Sequence, residues 1–294
     1  MKKPYLFIIT VFFVGVLCLG IAAQSLAATH DDDPRDEGLE GAVFELCDAA
    51  IDFAEKGNYD RAIALFSKAL EINPRYAKAY NNRGTAYAKG KGQYDKAISD
   101  YTKAIEINPG LADIYNNRGV AYATGKGQYN QAISDYGKAI EINPGYAEAY
   151  NNRAFAYSDI HKFDKAISDY TKAIEIKPMY AAAYNNRGVA YENKGQYDKA
   201  ISDFSTALEI NPRYAKAYNN RGIAYSKGKS QYDKAISDFI KAIEINPELV
   251  DFYDNRGITY ERLGDKEKAC SDWKWACQLG SCKAYEAAKR KGDC

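Results

Sequence analysis

The chain has 294 residues, 40 Lys plus Arg against 39 Asp plus Glu, and a formal net charge of +1. That balance lacks the basic footprint of a face that binds nucleic acid. With His30 and His161 as the only histidines, no histidine-based catalytic set can be assembled either. Tyrosine is the outlier at 26 residues, but nearly all of these recur at fixed places, where aromatics at helical spacing read as core.

Lys2 and Lys3 precede a mostly apolar run from Leu6 to Ala23 and then small residues through Ala28, the layout of a secretory signal. Residues 1–27 are therefore expected to direct export, periplasmic or secreted, with cleavage after Ala27. The alternative is a membrane anchor through residues 6–23, since that run approaches spanning length. Cys18 follows Leu17, where lipoprotein signals have a small residue, so a lipid anchor is not expected. Residues 28–42, with the charged run His30 to Glu37, lack apolar periodicity and read as an acidic, solvated linker without a metal site.

From residue 43 a tract of 34 or 35 residues is written out seven times, with Pro74, Pro109, Pro144, Pro178, Pro212 and Pro247 as its ruler. The repeats run 43–76, 77–111, 112–146, 147–180, 181–214, 215–249 and 250–280, and residues 281–294 form a cysteine-containing cap and tail. A period of this length marks a stacked array, because one unit buries too little alone. In residues 77–111, Tyr80, Gly84 and Tyr87 share one face of a first helix, and Ala97, Tyr101, Ala104 and Ile105 share one face of a second. Gly90 and Gly92 suit the turn between them, and Asn108-Pro109 closes the unit, since the residue before proline is pushed out of the helical region. The extra residue of the longer repeats separates Tyr87 from Tyr94, Tyr122 from Tyr129 and Tyr225 from Tyr232. It is expected in the turn, where lengthening costs least. Small residues at Gly84, Gly119, Ala154, Gly188, Gly222 and Gly257 let the two helices approach closely.

Tyr80, Gly84, Tyr87, Tyr94, Ala97, Tyr101, Ala104 and Pro109 resemble the tetratricopeptide repeat, with tyrosine where that family often has tryptophan. With the export signal, the chain resembles an exported bacterial type of that family. The resemblance implies an all-α solenoid of seven helix-turn-helix repeats in a right-handed superhelix with a C-terminal capping helix, and a concave, ligand-facing side formed largely by the first helices. It also implies a protein-interaction module rather than an enzyme.

Two departures from the family pattern stand out. Arg83, Arg118, Arg153, Arg187, Arg221 and Arg256 occupy a place where the family usually has leucine. Asp100, Asp135, Asp169, Asp203, Asp238 and Asp272 recur immediately before the core aromatic of the second helix. The first repeat has Ala49 and Leu65 at these two places, so both charges are absent together, which points to an Arg–Asp ion pair inside each of six repeats. The second departure is a pair of amides before each arginine: Asn81-Asn82, Asn116-Asn117, Asn151-Asn152, Asn185-Asn186, Asn219-Asn220, then Asp254-Asn255. An amide offers both donors and acceptors to a peptide backbone whatever its side chains. The second members resemble the asparagine ladder of the O-linked N-acetylglucosamine transferase family. By that resemblance Asn82, Asn117, Asn152, Asn186, Asn220 and Asn255 would hold an extended segment, beside a row formed by Thr85, Val120, Phe155, Val189, Ile223 and Ile258. The other reading is that these amides bond only the neighbouring repeat. A carboxylate clamp for chaperone tails is not supported, because asparagine stands where that clamp needs lysine.

Removal of Cys18 leaves Cys47, Cys270, Cys277, Cys282 and Cys294, an odd number. Cys47 lies many layers from the others, so the four C-terminal cysteines pair among themselves, if at all. Lys283 to Lys291 reads as a short helix antiparallel to the last repeat, giving Cys277–Cys282 and Cys270–Cys294; cysteine spacings of seven, five and twelve do not match a paired C-x-x-C metal site. Trp273 takes the core aromatic place, while Trp275 is expected to face the cap or solvent. Gly228-Lys229-Ser230 fails as a phosphate loop because the earlier glycine would fall at Ile223. No cofactor is expected. The function expected is binding of an extended peptide or protein segment in the concave groove, with an envelope scaffold using convex faces or a Cys47-linked dimer as the alternative.

Overall fold

Alanine and an aromatic at helical spacing give every second helix a narrow buried stripe, and small residues on each first helix receive it. The computed structural model describes residues 34–294, and among them the periodicities become fifteen α-helices. The chain divides into two units. Residues 34–128 form one and Tyr129–Cys294 the other. The first holds α1 (Pro34–Glu55), α2 (Tyr59–Ile72), α3 (Ala77–Lys91), α4 (Tyr94–Ile107) and α5 (Ala112–Val120), the last continued by a π-helical turn, Ala121–Gly125. The second begins with α6 (Tyr129–Ile142) and continues through α7 (Ala147–Asp159), α8 (Phe163–Ile176), α9 (Ala181–Asn193), α10 (Tyr197–Ile210), α11 (Ala215–Gly228) and α12 (Tyr232–Ile245). It ends with α13 (Val250–Leu263), α14 (Lys266–Gln278) and α15 (Lys283–Lys291). None of the described helices is long and apolar enough to cross a membrane. The export signal, its anchor alternative, Cys18 and His30 lie outside the described residues.

Within a repeat the two helices meet through glycine. A Cβ added at Gly84 would stand 2.9 Å from the Tyr101 ring, at Gly188 2.6 Å from Phe204 and at Gly222 2.8 Å from Phe239. Ala97, Ala104, Ala200, Ala207, Ala235 and Ala242 flank those rings without exposure. Between repeats, first helices pack on the second helix that precedes them: Ala183 joins Ala173 and Ile174, and Ala217 joins Ala207 and Leu208. The Asn-Pro corners close by the asparagine side chain, as Asn108 Oδ1 accepts from the Gly110 N–H at 3.0 Å. Lys177, which replaces asparagine at one corner, reaches Glu148 at 2.8 Å instead.

Three expectations need correcting. The acidic segment is not a linker throughout, because α1 begins at Pro34, whose fixed φ suits a first helical position, and runs without a break into the first repeat. The extra residue of the 35-residue repeats lies at the end of the first helix and not in the turn. In the shorter repeats the Tyr157 and Tyr191 carbonyls accept from the N–H five residues on (Lys162, 2.8 Å; Gln196, 2.9 Å), whereas Tyr87, Tyr122 and Tyr225 accept from the sixth (Gln93, Gln128, Gln231; 3.0, 3.0 and 3.1 Å). The same closure is kept and the helix absorbs the insertion, as a π-helical turn after α5. Gly90, Gly125 and Gly228 are the residues that make this possible, since a Cβ at each would lie 2.1 Å from the ring of Tyr59, Tyr94 or Tyr197 in the preceding repeat. Third, Cys47 is 5% exposed and sits in the core with Val43, Ala50 and Phe66. A covalent dimer through it is therefore excluded in the folded chain; burial pushes its thiol up to about 11.

At the C-terminus Cys270 bonds Cys294 and Cys277 bonds Cys282, with Cα separations of 5.5 and 3.9 Å. They hold α15 on α14, where Ala288 and Tyr285 pack on Ala269 and Trp273.

Candidate functional site

The first helices carry the asparagines and arginines singled out from the sequence, and their amides bond across layers. In the first unit Asn117 Nδ2 donates to Asn81 Oδ1 at 3.1 Å. In the second, Asn186 donates to Asn151 (3.4 Å), Asn220 to Asn185 (3.0 Å) and Asn255 to Asn219 (3.0 Å). Inside a repeat the first amide turns to the second, Asn185 Nδ2 to Asn186 Oδ1 at 3.3 Å, so donors and acceptors alternate from layer to layer. The first members Asn116, Asn151, Asn185 and Asn219 are buried. The second members Asn82, Asn117, Asn152, Asn186, Asn220 and Asn255 are half-buried, at the edge of the network.

An amide has two N–H donors and two lone pairs. In Asn186 one donor serves Asn151 and one lone pair serves Asn185, which leaves one of each at the partly open side. The neighbouring row is apolar in the second unit: Phe155, Val189 and Ile223 are half-buried and Ile258 is 40% exposed. Beyond it lie acids pushed up by burial: Asp159, which also bonds Tyr129, and Glu192, which Lys227 meets at 3.3 Å. Asp254 stands where the other repeats have the first asparagine. Its Oδ2 accepts from Ser281 Oγ at 3.2 Å, its buried Oδ1 has no partner, and burial raises its carboxyl above the ordinary carboxylate range.

The arginines are held by fork-to-fork pairs. Arg83 bonds Asp100, Arg153 Asp169, Arg187 Asp203, Arg221 Asp238 and Arg256 Asp272, each through two contacts of 2.7 to 2.9 Å. Arg118 belongs to the first unit and Asp135 to the second. Sequence reasoning missed a third partner. The hydroxyl one place after the core aromatic of the preceding repeat accepts from the guanidinium: Ser67 from Arg83 (3.0 Å), Thr102 from Arg118 (3.1 Å), Thr171 from Arg187 (2.9 Å) and Ser205 from Arg221 (3.0 Å). The hydroxyls donate in turn to the carbonyl four residues back, as Thr171 does to Ile167 at 2.8 Å. The recurrence of Ser or Thr at this place was the available signal. With three of its five N–H groups engaged in this way and its charge met by a carboxylate, such an arginine is a structural cross-link and not a free anion receptor.

The described face holds recurring amides and apolar side chains but assembles no nucleophile with a base. Among known families, a TPR repeat model matches residues 52–90, 91–126, 124–160, 161–195 and 229–264, and tetratricopeptide repeat models match 181–214 and 204–237. Serine/threonine-protein phosphatase 5 of Mus musculus is 36% identical over 63 residues, which are 21% of this chain and 13% of the mouse protein. A tetratricopeptide repeat protein from Parabacteroides merdae ATCC 43184 shares the fold at 24% identity and a TM-score of 0.66, over 85% of this chain and 97% of its own. YrrB, described as a TPR protein with an unusual peptide-binding site, is 26% identical with a TM-score of 0.51, over 64% of this chain and 95% of its own.

Proposed function

Since the chain belongs to the tetratricopeptide repeat family, we propose that it is a non-enzymatic interaction module that binds an extended peptide or protein segment along its first helices. The family scaffold is typical of protein–protein interaction, and YrrB supplies a peptide-binding relative. The observation that carries the reading is the row of half-buried second asparagines, of which Asn186 keeps a donor and a lone pair, beside the row of Phe155, Val189, Ile223 and Ile258. A backbone laid there would meet a donor and an acceptor at regular intervals and an apolar floor for some of its side chains, which suits peptide better than sugar or phosphate. Asn82 and Asn117 would act in the first unit, and Asn152, Asn186, Asn220 and Asn255 in the second. The N-terminal sequence and the two disulfides support an exported, periplasmic or secreted setting.

Selection of a random peptide library on the purified protein tests this. A recovered peptide should bind the triple variant Asn152→Ala, Asn186→Ala, Asn220→Ala about tenfold or more weakly, at roughly 0.5 to 1.5 kcal/mol per lost hydrogen bond, with the helical circular dichroism kept. Equal binding by the variant would end the proposal.

A further inference from the structure

Two places on every later first helix are covered by the helix before it. The third is filled by small or apolar residues such as Ala79, Ala183 and Phe252, and the tenth by residues such as Ala86, Ala190 and Thr259, all at most 3% exposed. Ala79 packs with Phe66 and Leu70 of α2, Ala190 with Tyr170 of α8, and Phe252 with Ala242 of α12. On α1 the same two places are Glu45 and Asp52, both exposed. Asp48 and Glu55 lie on that face as well, with Phe44, 52% exposed, at its edge. Lys56, just past the helix, bonds Asp52 at 2.7 Å. The stacking face of the first repeat is thus uncovered and acidic.

The last helix has the opposite sign. Ala284, Tyr285 and Ala288 of α15 turn toward α14. Lys283, Lys289, Arg290 and Lys291 are exposed, with Glu286 the one exposed acid of that helix. An uncovered helix face that carried alanine at its third and tenth places would accept any apolar helix. Carboxylates there reject such partners and admit a basic one.

We propose that the uncovered face of α1 binds the basic face of α15 on a second copy of this chain, so that copies associate head to tail. The contact uses different surfaces on the two copies, so a dimer made through it leaves one α1 face and one α15 face for further copies. Glu45 and Asp52 take other places in the repeat than the second asparagines proposed to hold peptide, whose place in the first repeat is Asp48. Exposed ion pairs are individually weak and screened by salt, so the association depends on several pairs at once and on low ionic strength.

Sedimentation velocity of the purified full chain at about 20 mM and about 0.5 M salt, where the screening length falls from tens of Å to a few, reads it directly. The wild type should show a concentration-dependent rise of about twofold or more in average mass at low salt, lost at high salt. The variants E45K/D52K and K289E/R290E should each stay monomeric at low salt, and the chain carrying all four substitutions should recover association. A wild type that is monomeric at low salt overturns the proposal, as does association that either pair of substitutions leaves unchanged. Circular dichroism of each variant confirms that the helices are intact.

Discussion

Gly137 breaks a pattern, and restoring it should stabilise the protein. Four arginines donate a hydrogen bond to a Ser or Thr of the preceding repeat, but Arg153 faces Gly137 at that place. A Cβ there would meet only Arg153 Nη1, at 3.8 Å, so a side chain fits without displacement. Gly137→Ser supplies a hydroxyl able to donate to the carbonyl four residues back and accept from the guanidinium. Replacing glycine inside a helix adds about 0.5 kcal/mol for serine and about 1 for alanine. A hydrogen bond to a charged donor contributes about 1.5 to 3 kcal/mol, lowered to about 1 because Arg153 is 22% exposed and partly solvated. Gly137→Ser should therefore gain about 1 to 2 kcal/mol, and should exceed Gly137→Ala by about 0.5 despite the poorer helix propensity of serine. Urea melts of the three proteins, with Thr171→Ala as the converse, decide it. If serine is no better than alanine, the hydroxyl contact does not stabilise the stack.

Asp203→Ala should cost about 3 kcal/mol, because it strands the Arg187 guanidinium, 16% exposed, without its carboxylate; Arg187→Met with Asp203→Leu should lose much less in the same melt. Cys47 should resist alkylation at pH 8, since its thiol titrates at about 11 and is buried; labelling of the native chain as fast as in urea would refute this placement. His161 takes φ 57°, where the first, fifth and seventh repeats use Gly57, Gly195 and Gly264, so His161→Gly should raise stability by about 0.5 to 1 kcal/mol, read by thermal melting. Asp254 has its carboxyl raised by burial, so the folded chain holds that proton more tightly than the unfolded chain. Its contribution is fully present below the ordinary value of 3.8 and is lost as pH rises through the raised one. Asp254→Asn, which restores the amide of the other layers, should remove that loss, and the variant should gain on the wild type in melts as pH rises toward neutral.

The spacing of proline, alanine and tyrosine disclosed the helix pairs because each of those residues has one dominant physical use: proline ends a helix, alanine permits close packing and an aromatic fills the gap. The arginine–aspartate partnership was legible for a related reason, as a charge at a core place requires a counter-charge and this aspartate is absent from the first repeat together with the arginine, where Glu71 and Asp60 of the other recurring acids remain. Ser67, Thr102, Thr171 and Ser205 were passed over because a hydroxyl inside a helix satisfies itself on the carbonyl four residues back and gives no sign of a second partner. The acidic run before residue 43 hid the start of α1, since charge without periodicity reads the same in a linker and in a helix.

The amides were ambiguous in sequence for a deeper reason. An asparagine that binds a ligand and one that binds the next layer differ in whether the hydrogen-bonding sites the fold leaves over reach solvent. Asn185 and Asn186 each spend one donor and one lone pair on other amides, but Asn185 is buried, like Asn116, Asn151 and Asn219, whereas the second members are half-buried. Cross-layer bonding therefore does not compete with peptide binding. By fixing the plane of each outer amide it orients the remaining donor and lone pair before any segment arrives, which lowers the entropy lost on binding. Substituting a buried first member, Asn185→Ala, should then weaken peptide binding although Asn185 lies behind the surface, because Asn186 loses the donor that fixes its carbonyl. Unchanged affinity in that variant, measured beside the Asn186→Ala loss, would mean that the outer amides act without the inner ones.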